Sequence, residues 1–147
     1  MFDDDPWELK HQEIKSKRSL FIKKIETDLQ QEKDLSLQKK YAFLIIRLAY
    51  YDGDLAKVSS VFERYFKTAT KDYLYYWSLY FYCFTNKGTA IDVVNVFENS
   101  TDKRYASYYY FKENFDFEEA LQQAKNNIEK ANIYAYASIQ KVDRNLE

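Results

Sequence analysis

The sequence predicts an all-α fold of stacked antiparallel helical hairpins, a short α-solenoid, and three observations carry that expectation. Only 2 Gly and 1 Pro occur in 147 residues, too few turn residues for a sandwich or barrel and too few for the strand–helix junctions of an α/β fold. Apolar residues recur at steps of three and four in one segment after another. The chain also carries 15 Tyr and 11 Phe, large side chains suited to filling the space between hairpins.

Taken in order, Asp5-Pro6 reads as an N-cap with proline in the first turn, followed by Trp7 and Leu9. The helix continues through Ile14, Phe21, Ile22, Ile25 and Leu29 to a break around Gln30–Ser36. A second helix carries the stripe Tyr41, Leu44, Ile45, Leu48, Ala49 and stops at Asp52-Gly53-Asp54. A third carries Leu55, Val58, Val61, Phe62 and Tyr65. The fourth, from about Asp72 to Thr85, has Tyr73, Trp77, Tyr80, Phe81 and Phe84 on one side and Tyr75, Leu79 and Tyr82 on another. A helix apolar nearly all round must be covered on several sides, which makes it the expected central helix. After Asn86-Lys87-Gly88 comes a fifth helix with Ala90, Val93, Val94, Val96 and Phe97. A shorter helix over Asp102–Asn114, another over Phe115–Ala131 and a last one from Asn132 to about Asp143 complete the chain. With no linker or low-complexity stretch, residues 1–147 read as one domain.

Self-comparison at an offset of about 35 residues superposes Tyr41–Arg64 on Tyr76–Asn99. Gly53 meets Gly88, Val58 meets Val93, Leu44 meets Leu79, and Val61-Phe62-Glu63 meets Val96-Phe97-Glu98. Each unit is a helix, a Gly-containing turn and a second helix, and the matching glycines predict two turns of like geometry. One such hairpin cannot cover its own apolar face, so neighbours stack. The expected organisation is an N-terminal capping helix over 1–35, about three repeats over 38–131 with Asp102–Ala131 as the last, and a C-terminal capping helix over 132–147. The cap's outer side should hold Lys141, Asp143 and Arg144.

Composition narrows the function classes. The net charge of −1 lacks the basic excess of a protein that neutralises many nucleic-acid phosphates. The single cysteine, Cys83, excludes an internal disulfide and any Cys-rich zinc site. It also suits a reducing compartment. Met1-Phe2-Asp3-Asp4-Asp5 is unlike a signal peptide, and Arg47, Asp52 and Ser78 interrupt the longest apolar stretches. A soluble, intracellular protein is expected. His11 and Cys83 sit in no nucleophile motif, and no Gly-rich phosphate loop, serine elbow or metal-binding histidine pair occurs. Asp3–Asp5 and Asp52/Asp54 read as caps and turns, and Glu63, Glu98, Glu118 and Glu119 as solvated helix positions. No enzyme activity, cofactor, metal, small-molecule substrate or membrane partner is expected.

Trp77-Ser78-Leu79-Tyr80, Gly88 eleven residues after the tryptophan, and then Val96-Phe97-Glu98 resemble a half-a-tetratricopeptide (HAT) repeat, as does Val61-Phe62-Glu63-Arg64. The sequence departs from that pattern at Val58 and Val93, where a small Ala is usual, at Ser59 and Val94, where Arg is usual, and at Ala42, which replaces Trp. Phe115-Asp116-Phe117-Glu118-Glu119-Ala120-Leu121 is similar to an ordinary tetratricopeptide turn and second helix, with Phe115 in place of glycine. The resemblance covers roughly residues 38–131. It implies a non-catalytic scaffold or adaptor in a multiprotein assembly, by family habit an RNA-processing complex, and then a nuclear location.

The tyrosines supply the candidate surface. Most should be core, with hydroxyls reaching solvent, and a minority should line a groove that binds a peptide or helical segment of a partner protein. Tyr75, Tyr82, Tyr105, Tyr109, Arg104 and Lys112 are the candidate partner-binding residues. The alternative is single-stranded RNA stacked on the aromatics, with Lys71, Lys87, Lys103, Arg104 and Lys112 on its phosphates. A third reading, a small bacterial or phage regulatory helical protein, has no residue that speaks for it.

Overall fold

The computed structural model describes residues 6–146, with side chains from Lys10 onward. The N-cap expected at Asp5, the Asp3–Asp5 run, and the Trp7 and Leu9 side chains lie outside the described residues. All regular structure among the described residues is helical. No helix among them is long and apolar enough to cross a membrane. Contacts divide the chain into two compact units, Met1–Ala69 and Thr70–Glu147, so the division falls inside the segment read as repeats.

The first unit holds α1 (Pro6–Gln31), α2 (Leu35–Tyr51) and α3 (Leu55–Tyr65). The break after α1 spans residues 32–34, where Glu32 Oε1 accepts from the amides of Lys33 and Asp34. Asp34 then caps α2 by accepting from the Leu37 amide at 2.9 Å. Ile22, Ile25 and Leu29 of α1 are buried as expected. The buried face of α2 is Ala42, Phe43, Ile45, Ile46 and Ala49, turned by about one residue from the predicted stripe. Leu44 is exposed, while Tyr41 and Leu48 are half-buried. The reason is that α2 contacts both α1 and α3, and the arc between 42 and 49 faces both. Val58 and Phe62 of α3 are buried. Arg18 donates to Asp52 at 2.6 Å and Lys57 pairs with Glu26 at 2.8 Å, tying α1 to the α2–α3 turn and to α3.

The second unit holds α4 (Tyr73–Tyr82), α5 (Ala90–Asn99), α6 (Arg104–Phe111) with a 3₁₀ turn over Lys112–Asn114, α7 (Phe117–Gln123) and α8 (Asn127–Leu146). The helix predicted to be central is α4, but α5 is the hub: it contacts α4, α6, α7 and α8. Ile91, Val93, Val94, Val96 and Phe97 are all buried, and the β-branched side chains of the first four let neighbouring helices approach closely. α4 ends at Tyr82, short of the predicted Thr85, because the Thr85 hydroxyl donates to the Tyr82 carbonyl at 2.7 Å and turns the chain.

Helix starts α3 and α5 keep the 35-residue offset. Asp54 accepts from the Lys57 amide and Thr89 from the Asp92 amide, and Val58/Val93 and Phe62/Phe97 are buried in pairs. The turns before them are not alike. Gly53 has φ +76° with open space around its α-carbon, whereas Gly88 is not at positive φ. A β-carbon on Gly88 would lie 2.7 Å from the Cys83 α-carbon and 2.9 Å from the Tyr82 carbonyl oxygen. One glycine supplies a left-handed conformation and the other a close backbone approach.

The predicted helix Phe115–Ala131 is broken over residues 124–126, and the last helix starts at Asn127 instead of Asn132. Asn126 Oδ1 accepts from the Glu129 amide at 2.9 Å while Glu129 Oε2 accepts from the Lys125 amide at 2.6 Å. This reciprocal cap starts α8 and outweighs the continuous apolar period that runs through it. α8 continues to Leu146, past the predicted end near Asp143.

Candidate functional site

The second unit carries an open groove of about 650 Å³ between α6 and the C-terminal half of α8. Its floor is Phe97 of α5. Tyr105 and Tyr108 form the α6 wall, and Ile139, Val142 and Leu146 form the α8 wall. Under the floor, Tyr136 packs edge-on against Phe97 at 5.2 Å and Tyr108 at 5.7 Å, and tilted against Phe115 at 4.6 Å. The tyrosine is fully buried, so the groove rests on a fixed aromatic cluster. Its walls are open: Tyr105 is 79% exposed and Val142 60%.

Polar contacts set the distance between the walls. The Tyr108 hydroxyl donates to Asp143 Oδ2 at 2.8 Å, the Lys112 ammonium donates to the same oxygen at 3.3 Å, and the Gln140 amide donates to the Lys112 carbonyl at 3.0 Å. Two donors on one carboxylate favour its ionised form, so the Asp143 carboxyl is held below its usual range. Desolvation, then the Asp143 acceptor, push the Tyr108 phenol up to about 12. Arg104 closes one end: Nε donates to the Phe97 carbonyl at 2.8 Å, Nη2 to the Glu98 carbonyl at 3.4 Å, and the guanidinium lies 5.2 Å from the Phe97 ring centroid.

Three of the six candidate residues therefore meet here. Arg104 and Tyr105 line the groove, and Lys112 braces its rim. Tyr109, exposed, stands one turn beyond Tyr105 on the outer face of α6. The other two do not join them. Tyr75 lies on α4, half-buried, its ring 5.0 Å from that of Tyr76, and its phenol is pushed up to about 12 by burial and by Asp92. Tyr82 is only 8% exposed and belongs to the core.

Trp77, on the helix expected to be central and covered on several sides, is half-buried. Its ring meets Tyr73 edge-on at 5.0 Å, and the Lys103 ammonium stands 4.6 Å from its centroid and 5.1 Å from that of Tyr80. The charge of Lys103 is thus spent on aromatic faces. Cys83 is buried, and burial raises its thiol well above the ordinary value.

Val142 and Leu146 escaped the sequence reading, and Ile139 was read only as one apolar residue of the last helix, whose outside was expected to hold Lys141, Asp143 and Arg144. Asp143 instead faces α6. Their spacing, i, i+3 and i+7, was the signal that a second apolar face exists. Comparison with known proteins gave no matching family model, no similar curated sequence and no similar solved structure.

Proposed function

We propose that the protein is a non-catalytic adaptor whose α6–α8 groove takes a helical segment of another protein. The observation that carries this reading is the open apolar groove itself, in which Tyr105, Ile139, Val142 and Leu146 face solvent over a rigid aromatic floor. Exposed apolar surface concentrated in one concavity marks interaction sites, and aromatic anchors around a desolvated centre supply most of the energy of such sites. A helix is the favoured occupant. Both walls are helices whose backbone groups are already bonded, so an extended peptide would find no main-chain partners, while a helix satisfies its own.

The finer expectations belong to the same proposal: stacked HAT-like hairpins as the scaffold, and an RNA-processing assembly, hence the nucleus, as its setting. Their support is the resemblance of residues 38–131 and the matched caps at Asp54 and Thr89.

Direct RNA binding fits less well, because three of the five cations it would use have other engagements. Lys103 lies over Trp77 and Tyr80, Arg104 is bonded to two carbonyls, and Lys112 is bonded to Asp143. A titration of fluorescent single-stranded RNA at several salt concentrations, run beside affinity capture before and after nuclease treatment, tests the choice. The adaptor reading expects nuclease-resistant protein partners and no RNA binding even at low salt. Tight RNA binding with a log–log salt slope near roughly −3.5, about −0.7 for each of the five cations, would overturn it.

A further inference from the structure

α8 presents two apolar faces, and only one is used by the fold. Ile133, Tyr136 and Gln140 are buried. The other face runs Ile128, Asn132, Ala135, Ile139, Val142, Leu146, in alternating steps of four and three residues. Five of its six residues are exposed, Ile128 at 73%, Leu146 at 81%, and Ala135, Ile139 and Val142 between them, while Asn132 is half-buried. At 1.5 Å per residue the strip is about 27 Å long.

Steps of three and four average 3.5, the repeat that keeps a seam aligned between two helices wound around each other. Asn132, Ile139 and Leu146 then occupy the a positions and Ile128, Ala135 and Val142 the d positions. The flanking e positions are Glu129, Tyr136 and Asp143, and all three are committed within the domain. Glu129 accepts from Asn95 and from the Lys125 amide, Tyr136 is buried, and Asp143 holds Tyr108 and Lys112. The g positions, Ala131, Ser138 and Asn145, are uncharged and mostly small.

We propose that this seam pairs with its own copy, α8 against α8, in a parallel two-stranded coiled coil related by a two-fold axis. This inference rests on the reading of the groove as a protein-binding surface and names its first occupant. The seam is its own complement. Its flanks bring no like charges together, and a lone Asn at an a position sets a two-stranded parallel register by meeting its counterpart. Parallel pairing places the e side of one copy against the g side of the other. α6, with exposed Tyr105 and Tyr109, lies beside residues 139–146 of its own α8 and then comes up against the uncharged Ser138 and Asn145 of the other copy. Antiparallel pairing would set e against e and bring the two α6 helices together. A strip of this length with the added α6 aromatics buries roughly 1,000 Å² in total, near the lower end for specific interfaces, so the pairing is expected to be reversible and dependent on concentration.

Sedimentation of the full chain over a concentration series tests the pairing. The wild type should pass from monomer to dimer. Val142→Asp should remain monomeric with an unchanged far-ultraviolet circular dichroism spectrum, and Asn132→Ile should dimerise at least about tenfold more tightly, because a polar a residue costs stability. Asn132→Cys should form a disulfide-linked dimer on mild oxidation, since parallel strands place position 132 beside itself. A wild type monomeric at every concentration, a dimer indifferent to Val142→Asp, or an Asn132→Cys chain that stays uncross-linked would each overturn the proposal. If the chain is always monomeric yet Val142→Asp strips a different protein from affinity capture, self-pairing fails and the adaptor reading stands. If captured proteins are also indifferent to Val142→Asp, both fall.

Discussion

The Tyr108 hydroxyl donates to Asp143 at 2.8 Å, and this bond joins the two walls of the groove. Both groups titrate away from their usual ranges, with opposite consequences for stability. The Asp143 carboxyl is held low in the folded chain by Tyr108 and Lys112, so its stabilisation is present above the unfolded value of about 4 and is lost as pH falls below it. The Tyr108 phenol is raised to about 12, so its contribution is complete below about pH 10 and is lost between about 10 and 12. Thermal melts of wild type and Tyr108→Phe across pH should show the variant less stable at neutral pH. The two curves should converge below about pH 4 and again towards pH 12. A constant gap at all pH values would mean that the bond does not link the walls.

The two glycines should respond differently to the same substitution. Gly53→Ala forces a β-carbon into a left-handed conformation with free space around it, at a cost of about 1 kcal/mol. Gly88→Ala drives a β-carbon into the backbone of Tyr82 and Cys83, so the α4–α5 turn must shift, at a cost of about 1–3 kcal/mol. Urea denaturation of both variants checks the order, and Gly53→Ala as the more damaging change would contradict the geometry.

These glycines also show how far the sequence could be read. Their shared 35-residue offset marked both helix starts, Leu55 and Ala90, because a cap and an apolar stripe are local signals. The reason for each glycine was not local: φ at Gly53 and the approach to Cys83 at Gly88 appear only once the chain is folded. For the groove, Arg104, Tyr105 and Lys112 were legible as an aromatic–basic cluster in one short helix. Tyr82 was misplaced because nine of the ten residues of α4 are apolar or aromatic and the one polar residue, Ser78, is itself buried, which leaves no polar side to mark what faces solvent. The α8 wall was missed because the last helix was started five residues late and stopped near Asp143. Its Ile128, Ile139, Val142 and Leu146 therefore never stood on one strip.

The start of α8 depends on the Asn126 cap. Asn126→Ala should cost about 1 kcal/mol and fray the first turn of α8. Amide hydrogen exchange should show faster exchange near Ile128 to Lys130, with α4 and α5 unchanged. Unchanged protection of that turn would show that the Asn126 cap does not define the start of the helix.

The central claim is that the α6–α8 groove is where the protein meets another protein. The direct measurement is quantitative affinity capture with wild type, Tyr105→Ala and Val142→Asp, after circular dichroism has shown all three to be equally helical. Both side chains are largely exposed, so neither change should cost the fold more than about 0.5 kcal/mol. The account expects nuclease-resistant recovery of the partner to fall about tenfold or more with each variant, as truncating an interface anchor worth about 1.4 kcal/mol requires. Recovery that matches the wild type in both variants would contradict it.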